Sequence, residues 1–257
     1  MEEKLKAFER LLNIMDDLRE KCPWDKKQTI ESLRHLTIEE TYELSDAILK
    51  NNNEELKKEL GDILLHIVFY ARIASETNTF NIADVMNTLC DKLIFRHPHI
   101  YGDVKVNNDE DVKQNWEKLK QKEKGGNTSV LSGVPNSMPA LLKAYRIQEK
   151  ARAVGFDWEE PQQVFEKVKE EIFELDNEIK KENNASKIED EFGDVLFALI
   201  NYARFINVNP EDALERTNKK FIKRFNYMES KIKAQGKQLA DCSLAEMDVY
   251  WNEAKQL

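Results

Sequence analysis

Two acidic patterns recur along this chain. Glu40 and Glu43, and again Glu171 and Glu174, are spaced i, i+3. Each pair is followed by an E-x-G-D element, Glu59 to Asp62 and Glu191 to Asp194. Residues three apart on a helix share one face, with Cβ atoms about 5–6 Å apart. A short turn between two such helices makes them antiparallel neighbours, so the two pairs can present four carboxylates to one point. Like charges that close repel one another unless a cation intervenes. All-oxygen carboxylate ligation suits Mg²⁺, with Mn²⁺ as a substitute, rather than Zn²⁺. Acidic residues number 48 of 257, so a lone E-x-x-E is by itself no more than a solvated helix face. Three features lift these above that reading: the pairs come in twos, the set recurs, and Asp62 and Asp194 each open an apolar stretch, ILLHIVFYA and VLFALI. An ionised Asp against such a stretch is costly without compensation.

The same residues exclude other chemistry. None of the four histidines, His35, His66, His97 and His99, follows a Glu by three, so the Glu-x-x-His pairs of a di-iron bundle are missing. Neither H-E-x-x-H, a P-loop nor G-x-G-x-x-G occurs. Mg²⁺ held by few carboxylates completes its shell with water and substrate phosphates, and phosphates call for cations nearby. Lys167 and Lys187 each lie one turn before a glutamate of the second set, Glu171 and Glu191; the matching first-half positions are Leu36 and Glu55. Lys before Glu is the weaker orientation for a helical ion pair, which leaves phosphate contact as an even competitor to a plain ion pair. Downstream, Lys220 and Arg224 share a face, and Trp251 sits late in the chain, where it can stack on a base. The lysine asymmetry favours the second half as the catalytic one.

The elements that position these residues are helices. Leu5, Phe8, Leu12, Met15 and Leu18 mark one amphipathic face, and Leu33, Leu36, Tyr42, Leu44 and Ile48 mark a second. Further helices are expected over 54–77, 82–95, 109–123, 138–153, 161–182, 186–206, 210–234 and 243–256. No segment alternates with period 2 for long enough to suggest a strand. Eight Gly and six Pro in 257 residues fall well below the usual share of roughly 12%, which favours long helices over a turn-rich β fold. The expected class is all-α.

The halves repeat. IEETYELSDAI (38–48) matches KEEIFELDNEI (169–179), and KKELGDILLHIVFYARIA (57–74) matches IEDEFGDVLFALINYARFI (188–206). Glu40 and Glu43 stand 131 residues before Glu171 and Glu174; Glu59 and Asp62 stand 132 before Glu191 and Asp194. One register held that long marks a tandem duplication of helical units, expected at 1–123 and 138–257. A Gly/Ser/Pro-rich linker, 124–137, separates them. A net charge of −9 disfavours a nucleic-acid groove. Three scattered cysteines, Cys22, Cys90 and Cys242, suggest reduced thiols. With no apolar leader and no apolar run near the roughly 20 residues that span a bilayer, a cytoplasmic protein without a membrane partner is expected.

At these residues the chain resembles the MazG family of nucleoside triphosphate pyrophosphohydrolases, of the all-α NTP pyrophosphatase superfamily. CPWD (22–25), EETYEL (39–44), GDILLHIVFYA (61–71), RHPHIYGD (96–103), MPALLKAYRIQ (138–148) and VGFDW (154–158) look like family landmarks, and the tandem arrangement is that of two-domain members. The resemblance implies Mg²⁺-dependent hydrolysis of nucleoside triphosphates, ATP included, to monophosphate and pyrophosphate. It also implies broad base specificity and a homodimer with composite helical bundles. The metal-ligand motif falls on Glu171, Glu174, Glu191 and Asp194. Nucleotide contacts fall on Lys167, Val168, Lys169 and Glu170, on Lys187, Ile188, Glu189 and Asp190, on Lys220, Phe221, Ile222, Lys223 and Arg224, and on Trp251; Glu171 and Asp194 would touch both metal and nucleotide. Glu170 is a weak candidate for general base. The first-half motif, Glu40, Glu43, Glu59 and Asp62, is intact, so sequence does not declare that half inactive. Two other readings fit the residues: a relative restricted to dUTP or phosphoribosyl-ATP, and a non-enzymatic helical interaction module. Trp24 reads as the anchor of its turn.

Overall fold

The computed structural model describes residues 1–106, 108, 112, 115–116, 119, 129–181 and 184–256, and among them every regular element is a helix. Most of the helix expected over 109–123, and residues 124–128 of the expected linker, lie outside the described residues. The chain divides into two compact units, Met1–Asn107 and Asn108–Leu257.

The first unit holds α1 (Glu2–Lys21), α2 (Ile30–Leu49), α3 (Asn53–Glu76), α4 (Ile82–Arg96) and the short α5 (Pro98–Tyr101). Thr29 and Ser32 close a capping box at the start of α2, and Asn52 caps α3 through the backbone N–H groups of Glu54 and Glu55. Between α2 and α3 the chain reverses at Asn51, whose φ of 51° is left-handed. The N–H groups of Asn51 and Asn52 return to the carbonyls of Ile48 and Ala47 (3.0 and 3.1 Å), a Schellman stop made with Asn rather than Gly. Met15, Leu33, Val68 and Phe69 form the buried core where α1, α2 and α3 meet.

The second unit holds α6 (Ala140–Arg152), α7 (Pro161–Ile179), α8 (Ala185–Phe205), α9 (Pro210–Ala234) and α10 (Leu244–Ala254). Pro161 and Pro210 stand in the first turns of α7 and α9, where the missing N–H is harmless. Val164, Val168, Val195, Ala198 and Ile200 are buried on α7 and α8, and Met228 and Ile232 on α9. Lys150 is buried and its ammonium donates to the carbonyl of Val130 (3.0 Å), which ties the turns at 129–137 to α6. Among the described residues no helix is long and apolar enough to cross a membrane.

Candidate metal and nucleotide site

The α2–α3 hairpin sets its two acidic motifs side by side. Carboxylate oxygens of Glu40, Glu43 and Glu59 lie within 4.8 Å of one another, and those of Glu171, Glu174 and Glu191 do the same on α7 and α8. Two ligands of one Mg²⁺ at 2.0–2.1 Å span about 2.9 Å when adjacent and about 4.1 Å when opposite. Side-chain rotation therefore suffices to bring either trio onto an ion, with octahedral positions left for water and phosphate oxygens.

Of the four ligands expected in each unit, the structure gathers three. Asp62 and Asp194 stand outside the trios. Both aspartates open their apolar stretches from inside a helix, since α3 begins at Asn53 and α8 at Ala185. They still belong to the local field. Burial first, then Asp62, Glu43, Glu59 and Glu39, pushes the Glu40 carboxyl above its ordinary value. Glu191 is pushed up by desolvation, then by Glu174, Asp194, Glu171 and Glu178. A divalent cation fits such a field, and so does a further feature of the first cluster: Glu59 is 5% exposed, and its Oε2 has no hydrogen-bond partner.

The expected nucleotide contacts divide. Lys167 donates to Glu170 and lies 2.8 Å from Glu171, which raises its pKa; the plain ion pair is thus what the free site displays. Lys187 is exposed; Glu178, which Lys181 first and then Asn184 hold below its ordinary value, feels Lys187 as a smaller attraction across the hairpin. Val168 is buried with its side chain in the core, Ile188 is half-buried, and Lys169, Glu170, Glu189 and Asp190 are exposed. Lys169 packs over the Phe165 ring and pairs with Glu166. On the last two helices Phe221 meets Trp251 at 5.0 Å and stacks with Phe225 at 6.1 Å. Lys220, Ile222 and Lys223 are exposed beside them, and Arg224 is partly buried.

Two residues escaped the sequence reading. The first cluster has a lysine after all: Lys58 donates to Glu59 Oε1 (3.0 Å) and lies 3.8 Å from Asp62 Oδ2. It enters from the E-x-G-D helix, at a position that is Asp190 in the second unit, so a search for lysines equivalent to Lys167 and Lys187 passes it by. Arg19 is the other. Its guanidinium donates to the carbonyls of Asp25 and Gln28 and pairs with Glu76. Arg19, and not the 54%-exposed Trp24, anchors the CPWD turn. A buried polar base further distinguishes the first unit: the Thr37 hydroxyl meets His66 Nδ1 (2.8 Å) and the Tyr70 hydroxyl (2.6 Å). Positions 37 and 66 correspond to Val168 and Ala198 in the second unit, both buried and apolar.

The MazG nucleotide pyrophosphohydrolase domain matches this chain twice, over residues 28–101 and 159–228, so that each match contains one carboxylate trio. This chain belongs to the MazG family. A Thermotoga maritima relative, named nucleoside triphosphate pyrophosphohydrolase/pyrophosphatase MazG, is 47% identical over 251 residues, 96% of this chain and 95% of its own. An Escherichia coli K12 relative, named nucleoside triphosphate pyrophosphohydrolase, is 39% identical over 258 residues and 98% of both chains. A Bacillus subtilis protein, YabN, is 45% identical over 99% of this chain and 53% of its own length. The tandem helical units of this MazG-family chain are therefore two copies of one domain.

Proposed function

We propose that this MazG-family chain hydrolyses nucleoside triphosphates to the monophosphate and pyrophosphate, with Mg²⁺ as its cation and broad tolerance of the base. The observation that carries the reading is the recurrence of the same trio, Glu40–Glu43–Glu59 and Glu171–Glu174–Glu191, at equivalent places in both domain copies. Glu171, Glu174 and Glu191, with Asp194 beside them, would hold the ion in the second unit. When bound, the ion supplies Lewis acidity toward phosphoryl oxygens and a water of lowered pKa. Lys167 and Lys187 neutralise charge on the departing pyrophosphate, and Glu170, released by Lys167, accepts the water's proton. Phe221 and Trp251 give a base an aromatic surface, and stacking tolerates every base because each has a π-face. The exposed apolar residues Ile172, Phe173, Leu196, Phe197 and Leu199 on α7 and α8 form the kind of patch that marks association, which supports a homodimer. Pyrophosphate release from a panel of common triphosphates, with and without Mg²⁺, tests the function; turnover confined to one base, or indifferent to Mg²⁺, overturns the corresponding part.

The raised carboxyls give an independent prediction. Glu40 and Glu191 have folded pKa values above the ordinary 4.5. The stability they contribute is present below that value and lost as pH rises through the raised one, where both carry charge against their neighbours. A divalent cation restores it. At about 100 times its Kd, Mg²⁺ is expected to raise the melting temperature by roughly 5–10 °C at neutral pH, and by much less near pH 4.5, where protons occupy the carboxylates. An equal shift at both pH values would remove the carboxylates from cation binding.

The lysines yield another. Lys187→Ala is expected to raise KM for a triphosphate by about tenfold, as loss of a charge-assisted hydrogen bond does, whereas Glu55→Ala, at the equivalent position of the first unit, leaves it unchanged. Steady-state kinetics on both variants checks this; equal effects would remove the preference for the second unit.

A further inference from the structure

The two clusters take their lysines from opposite helices. Lys167 stands on α7, one turn before Glu171; Lys58 stands on α3, next to Glu59 and one turn before Asp62. The Lys58 side chain is 66% exposed while that of its partner Glu59 is 6% exposed. Its ammonium takes one oxygen of Glu59, at 3.0 Å, and leaves the other, Oε2, buried and without a partner. A group that half-satisfies a buried carboxylate, from a flexible stem rooted in solvent, is a poor structural device. Buried polar groups in settled structure are paired.

We propose that Lys58 is the tethered counter-ion of the N-terminal cluster. It holds Glu59 while no divalent cation is there, gives up Glu59 when one binds, and then takes the phosphate tail of a nucleoside triphosphate. The inference rests on the cation reading of the clusters given above.

Three physical points carry it. A divalent cation on Glu59 repels an ammonium held 3.0 Å from Oε1, so cation binding and the Lys58–Glu59 contact weaken one another. An ammonium on a four-carbon stem is a point charge that exchanges carboxylate for phosphate without the fixed planar geometry a guanidinium requires. The Lys58 ammonium also stands between two acidic groups of the site, 3.0 Å from Glu59 Oε1 and 3.8 Å from Asp62 Oδ2. Lys58 thus opposes the cation and favours the nucleotide, and its removal has opposite effects on the two. A lysine that only braced α3 would not separate them in that way.

The test uses the full chain carrying Glu174→Gln and Asp194→Asn, which leaves the N-terminal trio as the cation site. Free Mn²⁺ is followed by electron paramagnetic resonance, and a non-hydrolysable nucleoside triphosphate analogue is titrated at saturating Mn²⁺. Lys58→Ala is expected to tighten Mn²⁺ by about 2- to 5-fold, the scale of one exposed charge pair. It is expected to weaken the analogue by about tenfold, the scale of a charge-assisted hydrogen bond. Lys58→Arg restores analogue binding. Unchanged or weaker Mn²⁺ binding in Lys58→Ala, or unchanged analogue binding, overturns the role of Lys58 alone. Mn²⁺ binding that is absent, or indifferent to Glu43→Gln, overturns the cation reading of the cluster and the role of Lys58 with it.

Discussion

Glu174→Gln is expected to lower pyrophosphate release by more than about 100-fold, beyond the 10–100-fold that loss of a ligand's supporting partner already inflicts on metal sites. Glu174 is exposed, so its replacement by an isosteric amide disturbs no packing. What it removes is one carboxylate of the trio whose oxygens lie within 4.8 Å of one another. Stability is expected to move the other way. Glu174 is the carboxylate that most raises Glu191, so the uncharged amide relieves repulsion and the cation-free melting temperature holds or rises slightly. Activity that falls while cation-free stability does not is the signature of a ligand and not of a fold defect. Asp194→Asn is expected to lower turnover comparably, because Asp194 stands beside the trio and acts on Glu191. Any turnover left in Glu174→Gln should disappear on adding Glu43→Gln, the equivalent position of the first unit. Steady-state kinetics beside circular-dichroism melts makes the measurement, and wild-type turnover in Glu174→Gln would sink the ligand assignment.

The helices were legible because their signal is periodic and their stops are local. The apolar spacing predicts 82–95 and 210–234, and the structure has Ile82–Arg96 and Pro210–Ala234. The duplication was legible because a register of 131–132 residues survives in the paired carboxylates and the apolar stretches beside them. The turns were harder. Few glycines were read correctly as few loops, but the sharp reversals at Asn51, Asn78 and Asn207 use asparagine in the left-handed region. Asn tolerates that region through its short polar side chain, and in a sequence rich in polar residues it does not stand out as punctuation.

The carboxylates could be found from spacing, whereas their partners could not. An i, i+3 pair fixes a helix face, so Glu40 with Glu43 and Glu171 with Glu174 follow from sequence. Which oxygens converge depends on rotamers across the hairpin, which spacing does not fix, and Asp62 and Asp194 stand beside the trios. Lys58 was hidden for a different reason. Repeat comparison looks for the same residue at the same position, and this lysine reaches its cluster from the other helix of the hairpin. Arg19 was invisible because it ties the turn through the backbone carbonyls at 25 and 28, which carry no sequence signal, while its side-chain partner Glu76 stands 57 residues away.

That difference between side-chain and backbone partners yields the largest expected stability effect. Asp157→Ala is expected to destabilise the second unit by about 3–5 kcal/mol, the usual result of stripping one partner from a buried ion pair. The Arg204 side chain is 6% exposed, donates to both oxygens of Asp157, and has the Asn201 amide oxygen and the Phe205 ring as its other partners. Without Asp157 a buried guanidinium keeps one amide oxygen and an aromatic face, and no counter-charge from Asp157. Asp25 occupies the same register in the first unit, 132 residues earlier. There Arg19 takes the backbone carbonyl of Asp25, which survives truncation of the side chain, and pairs instead with Glu76. Asp25 is half-buried and its carboxylate attracts Arg19 only through space, so Asp25→Ala is expected to cost about 1 kcal/mol, well below the loss at Asp157. Denaturant melts of the two variants give the comparison, and equal losses would show that the aspartates act through something other than these contacts. The contrast bears on the site. Asp157 precedes α7 and Arg204 ends α8, so this pair closes one end of the hairpin that carries Glu171, Glu174 and Glu191. Below its own melting temperature Asp157→Ala is expected to keep most of its kcat, because the trio lies on the helices themselves and needs the clamp only to keep them folded.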